Sequence, residues 1–182
     1  MAPIALAFAV IDLTGSRTDL GFVLAARTVP QVVFLLVGGI WADRLPRHKV
    51  MVGSSIASGT TQGLVAVLLL SGHAHLWHLL VLGGLNGIST AFFFPASAGI
   101  VPQTVPAPQI QQANALLRLA LNSSAVTGAA LGGVIVGATS PGWAIAVDAA
   151  TFGLSAIFIG SMRLPGALRL EIPSFLGELA QG

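Results

Sequence analysis

Five apolar stretches, residues 20–42, 50–71, 76–100, 113–138 and 143–162, set the first constraint on this chain. A helix needs about 20 apolar residues to cross a hydrocarbon layer about 30 Å thick, and each stretch meets that length. A sixth, residues 1–13, is apolar but too short to cross at about 1.5 Å per residue. Only 8% of the 182 residues are charged while 54% are hydrophobic. Soluble domains are about one quarter charged, so one aqueous core cannot hide this much apolar side chain. The expected class is all-α transmembrane, with a helical bundle over 1–162 and residues 163–182 beginning a cytoplasmic loop. Residues 1–13 read as an incomplete first helix, and the chain as a piece of something longer, truncated at both ends. Residues 1–11 lack the leading Lys or Arg of a secretory signal.

Charge excludes other classes. The pI near 10.5 accompanies a net charge of only +2, and no basic stripe exists for nucleic acid. No phosphate-cradling loop, paired acid and base, or activated nucleophile is present, so neither an enzyme nor a cofactor is expected. Cysteine is absent. His73, His75 and His78 have no carboxylate beside them and read as an interfacial turn, so no metal site is expected.

The loops assign orientation. With residues 43–49, 101–112 and 163–182 on the cytoplasmic side, that side carries Arg44, Arg47, Lys49, Arg163 and Arg169, against Arg17 alone outside. The positive-inside rule favours this arrangement and a cytoplasmic N-terminus, in the inner (plasma) membrane. Trp77 and Trp143 then fall at the outer interface and Trp41 at the inner one, as an aromatic belt places them. Small residues four apart predict close helix packing: Gly83 and Gly87, then Ser55, Gly59 and Gly63, then Gly128 with Gly132 and Gly133 with Gly137. The stretches "AAR…GG" from 25 and "LLR…GG" from 116 echo each other, as equivalent helices of two three-helix repeats would.

The densest charge lies in "GGIWADRLPRHKV", residues 38–50. Gly39-x-x-x-Asp43-Arg44-x-x-Arg47 resembles the loop signature of the major facilitator superfamily, G-x-x-x-D-R-x-G-R-[RK], with Pro46 for its glycine and His48 for its last basic residue. "IDLTGS" at 11–16, "FFFPASAGIVPQTVP" at 92–106, "QQANAL" at 111–116 and "DAATFGLSA" at 148–156 resemble the drug and siderophore exporter branch, in the order of helices 1 to 6. Residues 124–133 resemble the antiporter motif G-x-x-x-G-P-x-x-G-G, with Ser124 for its first glycine and Ala129 for its proline. The family's helix 4 arginine is replaced by Gly83. The resemblance implies the N-terminal, 3+3-helix half of that fold, and ion-gradient-driven efflux of a small molecule by alternating access, with H+ as coupling ion. It assigns Gly39, Asp43, Arg44 and Arg47 to a conformational-switch loop. It also implies a lipid bilayer around the chain and a missing C-terminal half or second chain as partner. The alternative is a truncated protein that does not transport, or a half-transporter that acts only with a partner chain.

Ionisable groups inside spans cost about 2.5–3.5 kcal/mol each at mid-membrane, so they pair or face a polar path. Arg27, Arg118, Asp148 and Asp12 are therefore candidates for a substrate or proton path, with Asp148 the best proton site. The polar stripe Asn122, Ser123, Ser124 and Thr127 either hydrogen-bonds between helices or lines that path, and on the second reading Asn122 joins the candidates.

Overall fold

A computed structural model describes residues 1–42 and 46–162, except the side chains of 36–42 and 103. Asp43, Arg44, the Trp41 side chain and residues 163–182, expected to begin a cytoplasmic loop, lie outside the described residues. The described chain is six α-helices: α1 Ala2–Thr14, α2 Arg17–Ala42, α3 Arg47–Leu70, α4 Leu76–Thr104, α5 Ile110–Ala138 and α6 Pro141–Ser161. A single 3-10 turn at Ala107–Gln109 joins α4 to α5. All but α1 are long and apolar enough to cross a membrane.

Local chemistry sets the helix ends. Gly15 caps α1 at φ +66°, its N–H donating to the Ile11 carbonyl at 2.8 Å. Ser16 opens α2 by accepting from the Asp19 N–H at 3.2 Å, a side-chain cap on an orphan donor. Gly72 sits at φ +72° after α3. Its N–H donates to Leu69 O at 3.2 Å and the His73 N–H to Leu68 O at 3.0 Å, the paired bonds of a glycine-closed helix end. At the start of α4, His78 Nδ1 accepts from the His75 N–H at 3.0 Å, and the Trp77 and His78 rings stack 3.8 Å apart. These histidines thus cap a helix.

Burial departs from the soluble pattern on α3. On α3 the buried residues are Met51, Ser54, Ser55, Ser58, Thr61, Gln62, Val65 and Ala66, one stripe at helical spacing with a polar centre. Large apolar side chains point outward instead, among them Val67, Phe22, Leu119 and Val126. In lipid, outward apolar surface is solvated and small or polar inner faces bring the backbones together.

Three interfaces fix the bundle. The α3–α6 pair is antiparallel: Ser55 Oγ lies 3.4 Å from Ser155 Oγ, Gln62 meets Asp148, and Gly59 between them faces Phe152 and Ala149. The α2–α4 pair is parallel, Gly83 lying against Val23 and Arg27, and Gly87 against the Arg27 backbone. The α3–α4 pair is joined by Asn86, whose Nδ2 donates to Thr61 Oγ1 at 3.1 Å. α1 lies over the centre, its Ala5, Leu6 and Val10 packing with Val23, Val65, Ala66, Leu79, Ala144 and Ile145. A second apolar cluster, Met51, Ala96 and Ile100, closes the opposite end of α3 and α4.

Several helix pairs map onto one another under exchange of α1–α3 with α4–α6. That exchange leaves the α3–α6 pair in place, turns α2–α4 into α5–α1, and turns α3–α4 into α6–α1, and every one of these contacts exists. This is the pattern of two three-helix repeats. The contacts made by α1 are sparser because it has 13 residues where its counterpart α4 has 29. α5 accordingly leaves most of its surface exposed, Gly132 alone being buried.

Candidate functional site

Four polar side chains converge from four helices. Arg27 on α2 and Asn86 on α4 each lie ten residues into their helices, Gln62 lies eight before the end of α3, and Asp148 lies seven into α6. At 1.5 Å per residue these depths are about 15, 15, 12 and 10 Å from one end of the bundle, a common level inside the spans.

Packing holds each in place. α2 crosses so close to α4 that a Cβ at Gly87 would fall on the Arg27 carbonyl oxygen and lie 3.0 Å from its carbonyl carbon. The Arg27 backbone is thus seated in a glycine notch, which fixes where its half-buried guanidinium begins. Asp148 Oδ2 accepts from Gln62 Nε2 at 3.4 Å, and Oδ1 lies 3.6 Å from the Met1 amino nitrogen. Asn86 is buried, and its Nδ2 donates to Thr61 Oγ1 and, at 3.5 Å, to the Ser58 carbonyl.

Two cavities flank this chain of contacts. The larger, about 390 Å3, lies between α5 and α6 and is lined by Asp148, Thr151, Ser124, Thr127, Gly128 and Leu131 together with Met1. A carboxylate and three hydroxyls around one opening can orient a ligand by hydrogen bonds and balance its charge. The smaller lies on the other side of Gln62, among Arg27, Gln62, Asn86, Leu79 and Leu82. An open groove of about 680 Å3 between α2 and α4, lined by Phe22, Val29, Pro30, Val81, Leu85 and Ile88, presents only apolar side chains.

Of the residues singled out in the sequence, Arg27 and Asp148 come to one level. Arg118 and Asn122 lie on the exposed side of α5, and Asp12 is exposed near the end of α1. Among the described residues no ion pair joins Arg118 or Asp12 to an opposite charge. Gly128 and Gly132 face Met1, whereas Gly133 meets open space. At the start of α3, the Arg47 guanidinium packs onto Gly99 of α4, where any Cβ would displace it. Gln62 and Asn86 are not among the residues that the sequence singled out. Their signal is an uncharged amide inside an otherwise apolar or small-residue span, where it must find a hydrogen-bond partner.

Among the described residues no group of three His, Asp or Glu could hold a metal.

Comparison with known proteins decides the family. The Major Facilitator Superfamily profile matches residues 1–173. The chain belongs to this superfamily. It is therefore a multi-pass membrane protein of a family of transporters rather than enzymes. It is 30% identical to an uncharacterized MFS-type transporter, YfiS, of Bacillus subtilis, over 85% of this chain and 36% of that protein. It is 22% identical to macrolide efflux protein A of Streptococcus pyogenes, over 98% of this chain and 45% of that one. It is 29% identical to the multidrug efflux pump Tap of Mycolicibacterium fortuitum, over 90% and 41%. The chain thus spans less than half the length of these relatives. No solved structure matches it.

Proposed function

We propose that this chain is the N-terminal half of an exporter that moves a small molecule out across the plasma membrane by alternating access, driven by an ion gradient with H+ as coupling ion. Two halves rock about a midplane site in such a mechanism, so the activity belongs to this half joined to a second one, in the same polypeptide or another. Asp148 is the proton-carrying group, Arg27 the fixed positive charge at its level, and the Ser124–Thr127 side of α5 a wall of the substrate path. Arg118 and Asp12 extend that path toward the two ends, whereas Asn122, two residues before Ser124, lies across α5 from this wall. The switch loop of Gly39, Asp43, Arg44 and Arg47 lies with residues 101–112 on the cytoplasmic face, where Arg47 rests on α4.

The observation that carries this reading is the placement of Asp148. A carboxylate inside a membrane bundle, lining a hydroxyl-rich cavity, is costly to keep and is retained where charge or protons move. The relatives named as macrolide and multidrug efflux proteins support the direction of transport and an amphiphilic organic substrate.

The test is uptake of a macrolide or a cationic dye into inside-out vesicles from cells expressing the chain with its second half, under an imposed pH gradient. Asp148→Asn should abolish gradient-driven uptake while the protein remains in the membrane. Equal uptake by both proteins would remove Asp148 from the coupling step, and no uptake by the wild type would overturn the exporter reading for these substrates.

A further inference from the structure

We infer that the small cavity among Arg27, Gln62 and Asn86 is a binding site for one structural water, and that this water completes the hydrogen-bonded connection from Asn86 to Asp148. A buried acceptor calls for it. Asn86 is 3% exposed, both acceptors of its Nδ2 lie on α3, and its Oδ1 receives no hydrogen bond from the protein. Buried amide oxygens are almost always satisfied, by protein or by ordered water. Asn86 lines a cavity of about 10 Å3, room for a single water.

The lining defines what the site accepts. Arg27 supplies N–H donors only, and Gln62, with Nε2 committed to Asp148, offers Oε1 as an acceptor. A water that accepts from Arg27 and donates to Asn86 Oδ1 and Gln62 Oε1 makes three bonds, the usual number for a buried water. A cation is excluded by the guanidinium, and an organic ligand by the volume. The remaining lining, Leu6, Val65, Leu79, Leu82 and Gly83, surrounds the polar groups with apolar atoms. Arg27 is then tied to Asp148 through water and Gln62 without a direct ion pair, and α2, α3, α4 and α6 share one polar network. This site does not depend on the exporter reading, since it exists in the resting chain.

X-ray radiolysis of the membrane-embedded chain in H2(18)O tests it, because hydroxyl radicals formed from an internal water label the side chains beside it. Leu79 and Ile145 are both 0% exposed, and Leu79 alone of the two lines the cavity. After correction for intrinsic reactivity, Leu79 should take up label and Ile145 should not. Asn86→Asp, which keeps an acceptor at Oδ1, should retain labelling at Leu79, and Asn86→Leu should lose it. Labelling of Leu79 no greater than that of Ile145 would overturn the inference, as would labelling that persists in Asn86→Leu. If Asn86→Leu does not fold, the wild-type comparison and Asn86→Asp still decide the matter.

Discussion

Gly87→Ala tests the closest helix contact in the bundle. The added Cβ falls on the Arg27 carbonyl oxygen, 3.0 Å from the carbonyl carbon and 3.4 Å from Cα. Carbon atoms pack best at about 3.5–4.0 Å and carbon on oxygen only slightly closer, so α2 must retreat from α4 by about 1 Å or more. The obstacle is backbone, which cannot rotate away. Overpacking of this kind costs about 1–3 kcal/mol. The same substitution gains about 0.5–1 kcal/mol because alanine loses less conformational freedom than glycine in a helix. Gly63→Ala in α3 is the matched control, since its Cβ meets nothing within 4 Å. The propensity gain is common to both variants, so their difference isolates the packing cost. For a chain of this size about 1 kcal/mol moves the midpoint by about 2–4 °C, so Gly87→Ala should melt about 5 °C below Gly63→Ala. Thermal unfolding in detergent, followed by loss of the monodisperse peak, reads this directly. Equal midpoints for the two variants would refute the α2–α4 contact as described.

Gly99→Ala should leave the midpoint of that assay close to wild type, because its Cβ meets the flexible end of Arg47 rather than backbone. Leu79→Ala empties a wholly buried position and should destabilise by about 2–5 kcal/mol in the same measurement. Leu119→Ala, at an exposed residue of α5, should change stability in detergent far less than Leu79→Ala, as substitutions away from packed features do.

The spans were legible because a membrane helix has to be apolar over its whole length, and such runs need no partner to be recognised. Their ends were less so. α2 starts at Arg17 rather than 20, α4 continues to Thr104 rather than 100, and α5 starts at Ile110 rather than 113. Helical hydrogen bonding continues past the point where hydropathy fades, and Ser16 holds the extra turn of α2. Glycine spacing located packing faces without telling which member of each ridge touches a neighbour: Gly59 and Gly132 do, whereas Gly63 and Gly133 do not. Facing was illegible for the same reason the spans were clear. A helix apolar on every side has no strong moment to point inward. Arg27 and Asp148 stood out by charge alone, but their common depth follows from the parallel α2–α4 and antiparallel α3–α6 registers, which only the assembled bundle supplies. Gln62 and Asn86 carry no charge and lay hidden among small residues until those registers brought them together.

If Asp148 carries protons, the α5–α6 cavity beside it is part of an aqueous path through the membrane. The chain contains no cysteine, so single cysteines placed in it meet no background from this half, and any in a second half are replaced by serine. Ser124 lines the cavity with Asp148. Val126, two residues on, is exposed and points to the opposite side of the same helix, away from the cavity lining, because two residues are a little over half a turn. A membrane-impermeant thiol reagent applied to membranes of the intact protein should modify Ser124→Cys and leave Val126→Cys untouched. Modification of Val126→Cys with Ser124→Cys inert would place water on the wrong face of α5 and contradict the account.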